Sequence, residues 1–191
     1  MKRVLIIHGW GGNPGELQLV WLKNELSRRG FNVSIPEMPH PDEPMIDEWV
    51  SHLAQEVGTL DADTFFIGQS IGCQTIMRYL QSQTMEAGGC VFIAGWFKLD
   101  NLEADEKKIA EPWLNTSIDF EKVKKSARKI VVVLSTNDYY GFVNENKKTF
   151  EDKLGATVII LENRGHFAPD DGTTELPEVL EAFLKMSSVR T

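Results

Sequence analysis

The stretch Phe65-Phe66-Ile67-Gly68-Gln69-Ser70-Ile71-Gly72-Cys73 decides the fold of this chain. It begins with an apolar, partly β-branched run that is typical of a buried strand, and the run stops at a glycine. Apolar residues then recur at the spacing of a helix, at Cys73, Ile76, Met77 and Leu80. Ser70 is therefore expected in the turn between a strand and a helix, inside a G-x-S-x-G pattern.

In this setting G-x-S-x-G is typical of a nucleophile elbow, where a serine lies in a strained turn with its hydroxyl exposed. The two glycines suit such a turn because side chains at positions 68 and 72 would collide with neighbouring chain. Ser70 also precedes the first helical turn, whose free N–H groups favour negative charge. The alternative is an ordinary turn with a capping serine, since so short a pattern also arises by chance.

The composition is that of an ordinary globular protein of 191 residues, with 42% hydrophobic and 25% charged residues. This length predicts one domain over residues 1–191. The net charge of −8 argues against nucleic acid or an anionic membrane as a partner. The apolar run at residues 4–7 is too short for a signal peptide, so we expect a cytoplasmic protein. Cys73 and Cys90 fall in predicted core elements and are expected to be free thiols.

Five further apolar runs indicate strands, at residues 4–7, 31–35, 90–94, 130–134 and 158–161. Helical patterns separate the runs, and Asn13 with Pro14 indicates the start of the first helix. The alternation predicts an α/β protein with a six-stranded parallel sheet, right-handed crossovers and helices on both faces. Residues 97–128 are too few for a large cap. We expect these residues to form a small lid, a dimer contact or plain surface.

Residues that can carry chemistry follow four of the predicted strands. They are His8 and Trp10 after the first strand, Ser70 after the third, Asp138 after the fifth and His166 after the sixth. In open parallel sheets, ligands bind beyond the carboxyl ends of the strands. We therefore expect these residues to share one rim of the molecule.

A serine hydroxyl needs an adjacent base to act as a nucleophile, and a carboxylate must hold the tautomer of that base. His166, which follows a glycine after the last strand, is the predicted base. Asp138 is the predicted acid because it directly follows strand five, and Asp170 and Asp171 are its rivals. The order Ser, Asp, His along the chain is the order of the α/β-hydrolases.

Further residues are predicted to surround the reacting group. The backbone N–H groups of Trp10 and Ile71 are predicted to form the oxyanion hole. Trp96, Tyr139 and Phe167 follow strand ends and are predicted to wall a shallow substrate pocket that favours short or aromatic acyl groups. The alternative is that such aromatic residues only cover the sheet, and that Phe167 only supports the histidine before it.

Four segments of the chain resemble the YdeN-like family of small serine hydrolases, which includes retinoblastoma-binding protein 9. They are residues 6–10, the Met-Pro-x-Pro segment 38–41 with 47–49, residues 70–73 and residues 165–167. The resemblance spans almost the whole chain. It implies a compact α/β-hydrolase fold without the first two strands of the larger fold, and a triad at Ser70, Asp138 and His166. Gln69 departs from the family, in which histidine is common at this position.

The favoured function is a serine hydrolase that cleaves a small carboxylic ester or amide through an acyl-enzyme, without a cofactor, as a monomer or weak dimer. The alternative is a non-catalytic protein-interaction module on a hydrolase scaffold. Neither cysteine lies in the Leu-x-Cys-x-Glu pattern associated with retinoblastoma binding, so that partner is not expected. A flavodoxin-like nucleotide-binding protein lacks support because no P-loop lysine is present. The four histidines show no paired metal-ligand spacing.

Overall fold

The computed structural model describes residues 1–188 and contains one six-stranded sheet. Its strands are β1 Arg3–Ile7, β2 Asn32–Ser34, β3 Thr64–Gln69, β4 Gly89–Ile93, β5 Ile130–Ser135 and β6 Thr157–Leu161. They lie in the order β2-β1-β3-β4-β5-β6, and every neighbouring pair is parallel. The order reverses between β1 and β3, which makes the carboxyl ends of these two strands the switch point where ligands bind. The predicted α/β-hydrolase fold class is confirmed.

Seven α-helices and one short 3-10 helix connect the strands within residues 1–188. They are α1 Leu17–Ser27, α2 Ile46–Val57, α3 Ile71–Leu80, α4 Ala104–Asn115, α5 Phe120–Ser126, α6 Val143–Leu154, the 3-10 helix Pro169–Asp171, and α7 Pro177–Ser188. Of the helices in this part of the chain, none combines the length and apolarity that a bilayer crossing needs.

Two hydrophobic layers sandwich the sheet, because alternate residues of each strand point to opposite faces. On one face, Leu5 and Ile7 of β1 belong to a layer that α2, α3, α5 and α6 cover. On the other face, Val4 and Ile6 pack into a layer that α1 and α7 cover. The central strands are therefore buried on both sides, which explains why they read as continuous apolar runs. Cys73 and Cys90 lie in the first layer as free, buried thiols, as predicted.

One local prediction is wrong, and one helix was not predicted. The first helix does not start at Asn13 and Pro14, because the Asn13 side chain accepts a hydrogen bond from Gly15 N–H at 2.9 Å and closes a separate turn. Glu16 takes the N-cap position instead. Helix α4 has no counterpart among the predicted helices, since only Ala110 and Trp113 of its twelve residues are buried and its apolar periodicity is weak.

The first turn of α3 lies directly against the end of β1. A Cβ atom added to Gly72 would collide with the carbonyl oxygen of Ile7 and lie 2.8 Å from that of His8. A Cβ atom on Gly68 would lie 2.8 Å from the backbone nitrogen of Cys73. Both glycines thus permit a close approach of backbone segments, and this approach fixes the turn that carries Ser70.

We expect Gly72→Ala to lower the free energy of unfolding measured in urea. Overpacking costs about 1–3 kcal/mol, more than the helix propensity of about 1 kcal/mol that alanine adds. Gly9→Ala is the control, because its new methyl group would meet Ser70 Cβ at an ordinary 3.5 Å. Wild-type stability in Gly72→Ala would contradict the tight contact with β1.

Candidate active site

Ser70 occupies the sharp turn between β3 and α3. Its backbone has φ 52° and ψ −119°, a strained conformation for a residue with a side chain. The Ser70 N–H donates to the carbonyl of Ile93 at 2.8 Å, which ties the turn to the end of β4. The side chain is nearly buried, with 9% of the residue exposed. The serine thus lies in the strand–turn–helix context that its sequence pattern predicts.

The hydroxyl oxygen of Ser70 accepts a hydrogen bond from the indole of Trp96. The distance from Trp96 Nε1 to Ser70 Oγ is 3.2 Å. Trp96 follows β4 and is itself buried, and its carbonyl accepts a hydrogen bond from Gln74 Nε2 at 2.6 Å. Sequence reasoning placed Trp96 only in a pocket wall and missed its direct contact with the serine.

His166 and Asp138 form a close pair on the same rim. The distance from His166 Nδ1 to Asp138 Oδ2 is 2.8 Å, and both side chains are nearly buried. The other carboxylate oxygen of Asp138 accepts the N–H of Tyr140 at 3.1 Å. His166 Nε2 is buried and has no hydrogen-bond partner within residues 1–188. When Nδ1–H donates to Asp138, Nε2 is left as an unpaired acceptor.

Asp171 and Asp170, the rival acids, occupy different positions. The Asp171 carboxylate accepts the backbone N–H of His166 at 2.8 Å and that of Ala168 at 3.0 Å, so it shapes the histidine loop rather than contacting the imidazole. Asp170 is exposed at the cavity edge.

Two polar residues that the sequence did not single out join the loops after β5 and β6. Asn137 Oδ1 accepts the N–H of Gly165 and the hydroxyl of Ser135, both at 2.8 Å. The Ser135 hydroxyl in turn accepts the N–H of Arg164 at 2.9 Å. These bonds hold the loop of Asp138 against the loop of His166. The only signal in the sequence is the polar run that directly follows the fifth strand.

A second buried polar connection joins the serine strand to the histidine loop. Gln69 Nε2 donates to the carbonyl of Phe167 at 3.2 Å, and Gln18 Nε2 donates to Gln69 Oε1 at 3.4 Å. Gln18 also donates to Glu16 at 2.8 Å. Burial raises the pKa of Glu16 above its ordinary value. Gln69 departs from the family pattern in sequence and acts here as a bridge between two loops.

His8 shapes the loop that carries Trp10. Its Nε2 accepts the N–H of Met38 at 3.2 Å, so Nδ1 carries the proton and donates to the carbonyl of Gly9 at 2.9 Å. Burial lowers the pKa of His8, which keeps the imidazole neutral. The Trp10 indole donates to the carbonyl of Asp42 at 2.8 Å and anchors the loop from outside. This arrangement agrees with a structural role for His8.

A cavity of about 490 Å³ opens over Ser70 and His166. Its wall includes Trp96 and Tyr139, which were predicted to wall a pocket, and Trp10. It also includes residues that the sequence did not identify, namely Leu99, Leu102, Glu106 and Tyr140. Residues 97–128 thus supply one wall. A larger groove of about 1120 Å³ lies between residues 40–48 and α4, and it contains neither Ser70 nor His166.

Phe167 does not wall this cavity, and its assignment to the substrate pocket is wrong. The residue is fully buried in the layer under α1 and α7. Its positive φ of 59° turns the chain after His166, and the ring packs against the sheet with the Arg164 guanidinium 5.8 Å from its centroid. Phe167 supports the histidine loop from below, which was the alternative interpretation.

The cavity rim is acidic. Glu16, Glu106 and Asp170 line it, and within residues 1–188 no lysine or arginine does. None of the three carboxylates forms a salt bridge in this part of the chain. The same residues include no cluster of three or more His, Cys, Asp or Glu side chains that could hold a metal ion.

Comparisons with known proteins agree with this geometry. The family model described as serine hydrolase matches residues 4–185. The chain is 28% identical over 196 residues to the putative hydrolase YdeN of Bacillus subtilis (strain 168), covering all of this chain and 98% of that protein. The crystal structure of the ydeN gene product superimposes with a TM-score of 0.90 at 27% identity, covering 99% of this chain and 100% of the other.

More distant structures share the fold alone. Est1E from Butyrivibrio proteoclasticus has a TM-score of 0.74 at 13% identity, covering 98% of this chain and 89% of that one. A structure from work on carboxylesterases of Nitrososphaera gargenis has a TM-score of 0.72 at 13% identity, covering 98% and 91%.

Proposed function

The chain belongs to the serine hydrolase family, and from that premise we propose that it cleaves a small carboxylic ester or amide through an acyl-enzyme on Ser70. The observation that carries the proposal is the 2.8 Å pair of Asp138 and His166 beside the cavity that also exposes the serine turn. In this proposal Ser70 is the nucleophile, His166 the general base and Asp138 the residue that orients the imidazole.

Acylation begins when the hydroxyl proton of Ser70 passes to His166 Nε2 while Oγ forms a bond to the carbonyl carbon of the substrate. The electron pair of the carbonyl bond moves onto its oxygen, and the N–H groups of Trp10 and Ile71 stabilise that charge. When the carbonyl reforms, the bond to the alcohol or amine breaks. The leaving group takes the proton from Nε2, and the acyl group stays on Oγ.

Deacylation repeats these steps with water. A water molecule loses its proton to His166 Nε2 and bonds to the acyl carbon, and the oxyanion forms again. Its collapse breaks the bond to Ser70 Oγ, which takes back the proton. In both steps the Asp138 carboxylate stabilises the imidazolium that forms.

The unpaired Nε2 of His166 is compatible with this role. Hydrogen bonds between catalytic groups are often long or poorly aligned without substrate and tighten when it binds. A buried acceptor beside the serine turn, with its tautomer fixed by Asp138, is in the state that a general base needs before the reaction.

Short acyl groups are the proposed substrates, because a cavity that is open to solvent encloses only the first part of an acyl chain. Its aromatic and leucine side chains provide an apolar surface, but the volume of about 490 Å³ is open to solvent and no multi-helix cap covers it within residues 1–188. An ester is the simpler of the two substrates to propose, because its alcohol leaves more readily than an amine does. We propose a carboxylesterase-like activity on short-chain or aromatic acyl esters.

Ser70→Ala tests the nucleophile. We expect a correctly folded protein whose kcat falls on the order of a million-fold, because no other side chain can form the acyl-enzyme. The measurements are kcat with short-chain esters and labelling by a fluorophosphonate probe, with peptide mass mapping to locate the adduct. A wild-type protein that the probe never labels would favour the non-catalytic interaction module.

Asp138→Asn tests the orienting acid against its rival. The amide presents the wrong partner to Nδ1–H, so kcat should fall by about 10⁴ with short-chain esters. Asp171→Asn is the matched control, because it alters a carboxylate that bonds only backbone N–H groups of this loop. Asp171→Asn should lower the thermal stability, and it should reduce kcat much less than Asp138→Asn does. An active Asp138→Asn beside an inactive Asp171→Asn would reverse the assignment.

Chromogenic esters of increasing acyl length test the pocket. Each methylene that the cavity buries contributes about 0.8 kcal/mol, and further methylenes remain in water and contribute nothing. We expect kcat/KM to rise over the short acyl chains and then to level off, after subtraction of the Ser70→Ala background. A kcat/KM that continues to rise into long-chain fatty acyl esters would show that the pocket is larger than the cavity described above.

A further inference from the structure

We propose that Trp96 is a further catalytic residue, whose indole N–H stabilises the negative charge that develops on Ser70 Oγ. The inference rests on the proposed function, since it requires Ser70 to be the nucleophile. It assigns a chemical role to a side chain that would otherwise only wall the pocket.

The first observation is the choice of hydrogen-bond acceptor. Three other tryptophans donate to backbone carbonyls, which is the ordinary use of a partly or fully buried indole, and these are Trp10 to Asp42, Trp49 to Pro39 and Trp113 to Pro44. Trp96 instead donates to the hydroxyl oxygen of Ser70 at 3.2 Å. Both residues are at least nine-tenths buried, so little water competes for this bond.

The second observation is the backbone that holds Trp96 in place. The chain leaves β4 through Ala94, which adopts a positive φ of 48°. Next comes Gly95, where a Cβ atom would lie 2.8 Å from Phe150. Strain of this kind persists only where the surroundings enforce it and is common at functional sites. The strained Ala94 and the strained Ser70 end two neighbouring strands, and their loops meet at the Trp96–Ser70 hydrogen bond.

The segment after Trp96 is also clamped. Asn146 of α6 accepts the N–H groups of Phe97 and Lys98 at 2.8 and 3.0 Å, and it donates to the Lys98 carbonyl at 3.0 Å. On the other side, Gln74 holds the carbonyl of Trp96. The indole N–H is therefore fixed before substrate arrives, which is the condition under which a donor stabilises a transition state without reorganisation.

The third observation is which neighbouring group can accept the hydroxyl proton of Ser70. An indole N–H only donates, whereas a hydroxyl both donates and accepts. Trp96 therefore cannot take the Ser70 proton, whereas His166 Nε2 is a buried acceptor beside the cavity that has no partner within residues 1–188. The bond from Trp96 strengthens while Oγ carries partial negative charge. In acylation this is when proton transfer has begun and the bond to the carbonyl carbon is still incomplete, and in deacylation it is when the bond to the acyl carbon breaks. The effect falls on both half-reactions.

Trp96→Phe tests this role, since phenylalanine retains an aromatic ring and lacks the N–H. We expect kcat to fall about 10- to 100-fold, the range of a hydrogen bond to a charged group, with little change in KM. The same factor should apply to acetyl, propionyl and butyryl esters and to the rate of fluorophosphonate labelling. Trp113→Phe is the matched control, because it removes a buried indole N–H that bonds a carbonyl away from Ser70, and it should keep wild-type rates.

A second substitution distinguishes the loss of the N–H group from misfolding. Replacement of Trp96 by 3-benzothienylalanine keeps the bicyclic ring and exchanges the N–H for sulfur, and it should reproduce the loss in kcat. Unchanged rates in both variants overturn the proposal, as does faster labelling, which would mean that the indole restrains the serine. A loss that varies with acyl length in both variants also overturns it, because that pattern belongs to a pocket wall. Failure of the wild-type protein to react would instead refute the proposed function.

Discussion

The contact between the first turn of α3 and the end of β1 is the constraint on which the rest of the site depends. Gly72 lets the helix backbone reach the carbonyl oxygens of Ile7 and His8 without a side chain between them. This approach closes the turn at Ser70 and brings the loop of Trp10 beside the first N–H groups of α3. One steric requirement therefore positions both the turn of Ser70 and the loop of Trp10.

The opposite side of the site is held by polar side chains rather than by close backbone packing. Asn137 and Ser135 join the loops after β5 and β6, and Asp171 bonds the N–H of His166. Loss of these acceptors would leave the backbone N–H groups of Gly165, Arg164 and His166 without their partners. Gln69 adds a link from the serine strand to the same loop. The loop that carries the imidazole, which follows β6, is therefore held by residues of β3 and β5 and of the loop after β5.

The sequence predicted the sheet well, because five of its six strands are apolar runs with glycine or polar residues at their ends. The sequence also predicted that Ser70, Asp138 and His166 lie on one rim, since parallel strands share their carboxyl edge. The sequence did not predict features that depend on the local backbone conformation. The positive φ at Phe167 sends its ring into the core, and α4 is stabilised by Trp113 and a capping box at Glu103 rather than by a periodic apolar face. The bond from Trp96 to Ser70 depends on the strained Ala94, which no spacing rule detects.

The acidic rim of the cavity has a consequence for turnover. For the substrate proposed above, hydrolysis converts a neutral acyl group into a carboxylate at the point where Glu16, Glu106 and Asp170 line the opening without a compensating cation from residues 1–188. Like charges repel across the short distances of a cleft, and salt screens exposed charges only in part. The product therefore meets a repulsion that the substrate does not. For that proposed substrate, the acidic rim lowers the affinity for the carboxylate product relative to the uncharged ester, which opposes product inhibition.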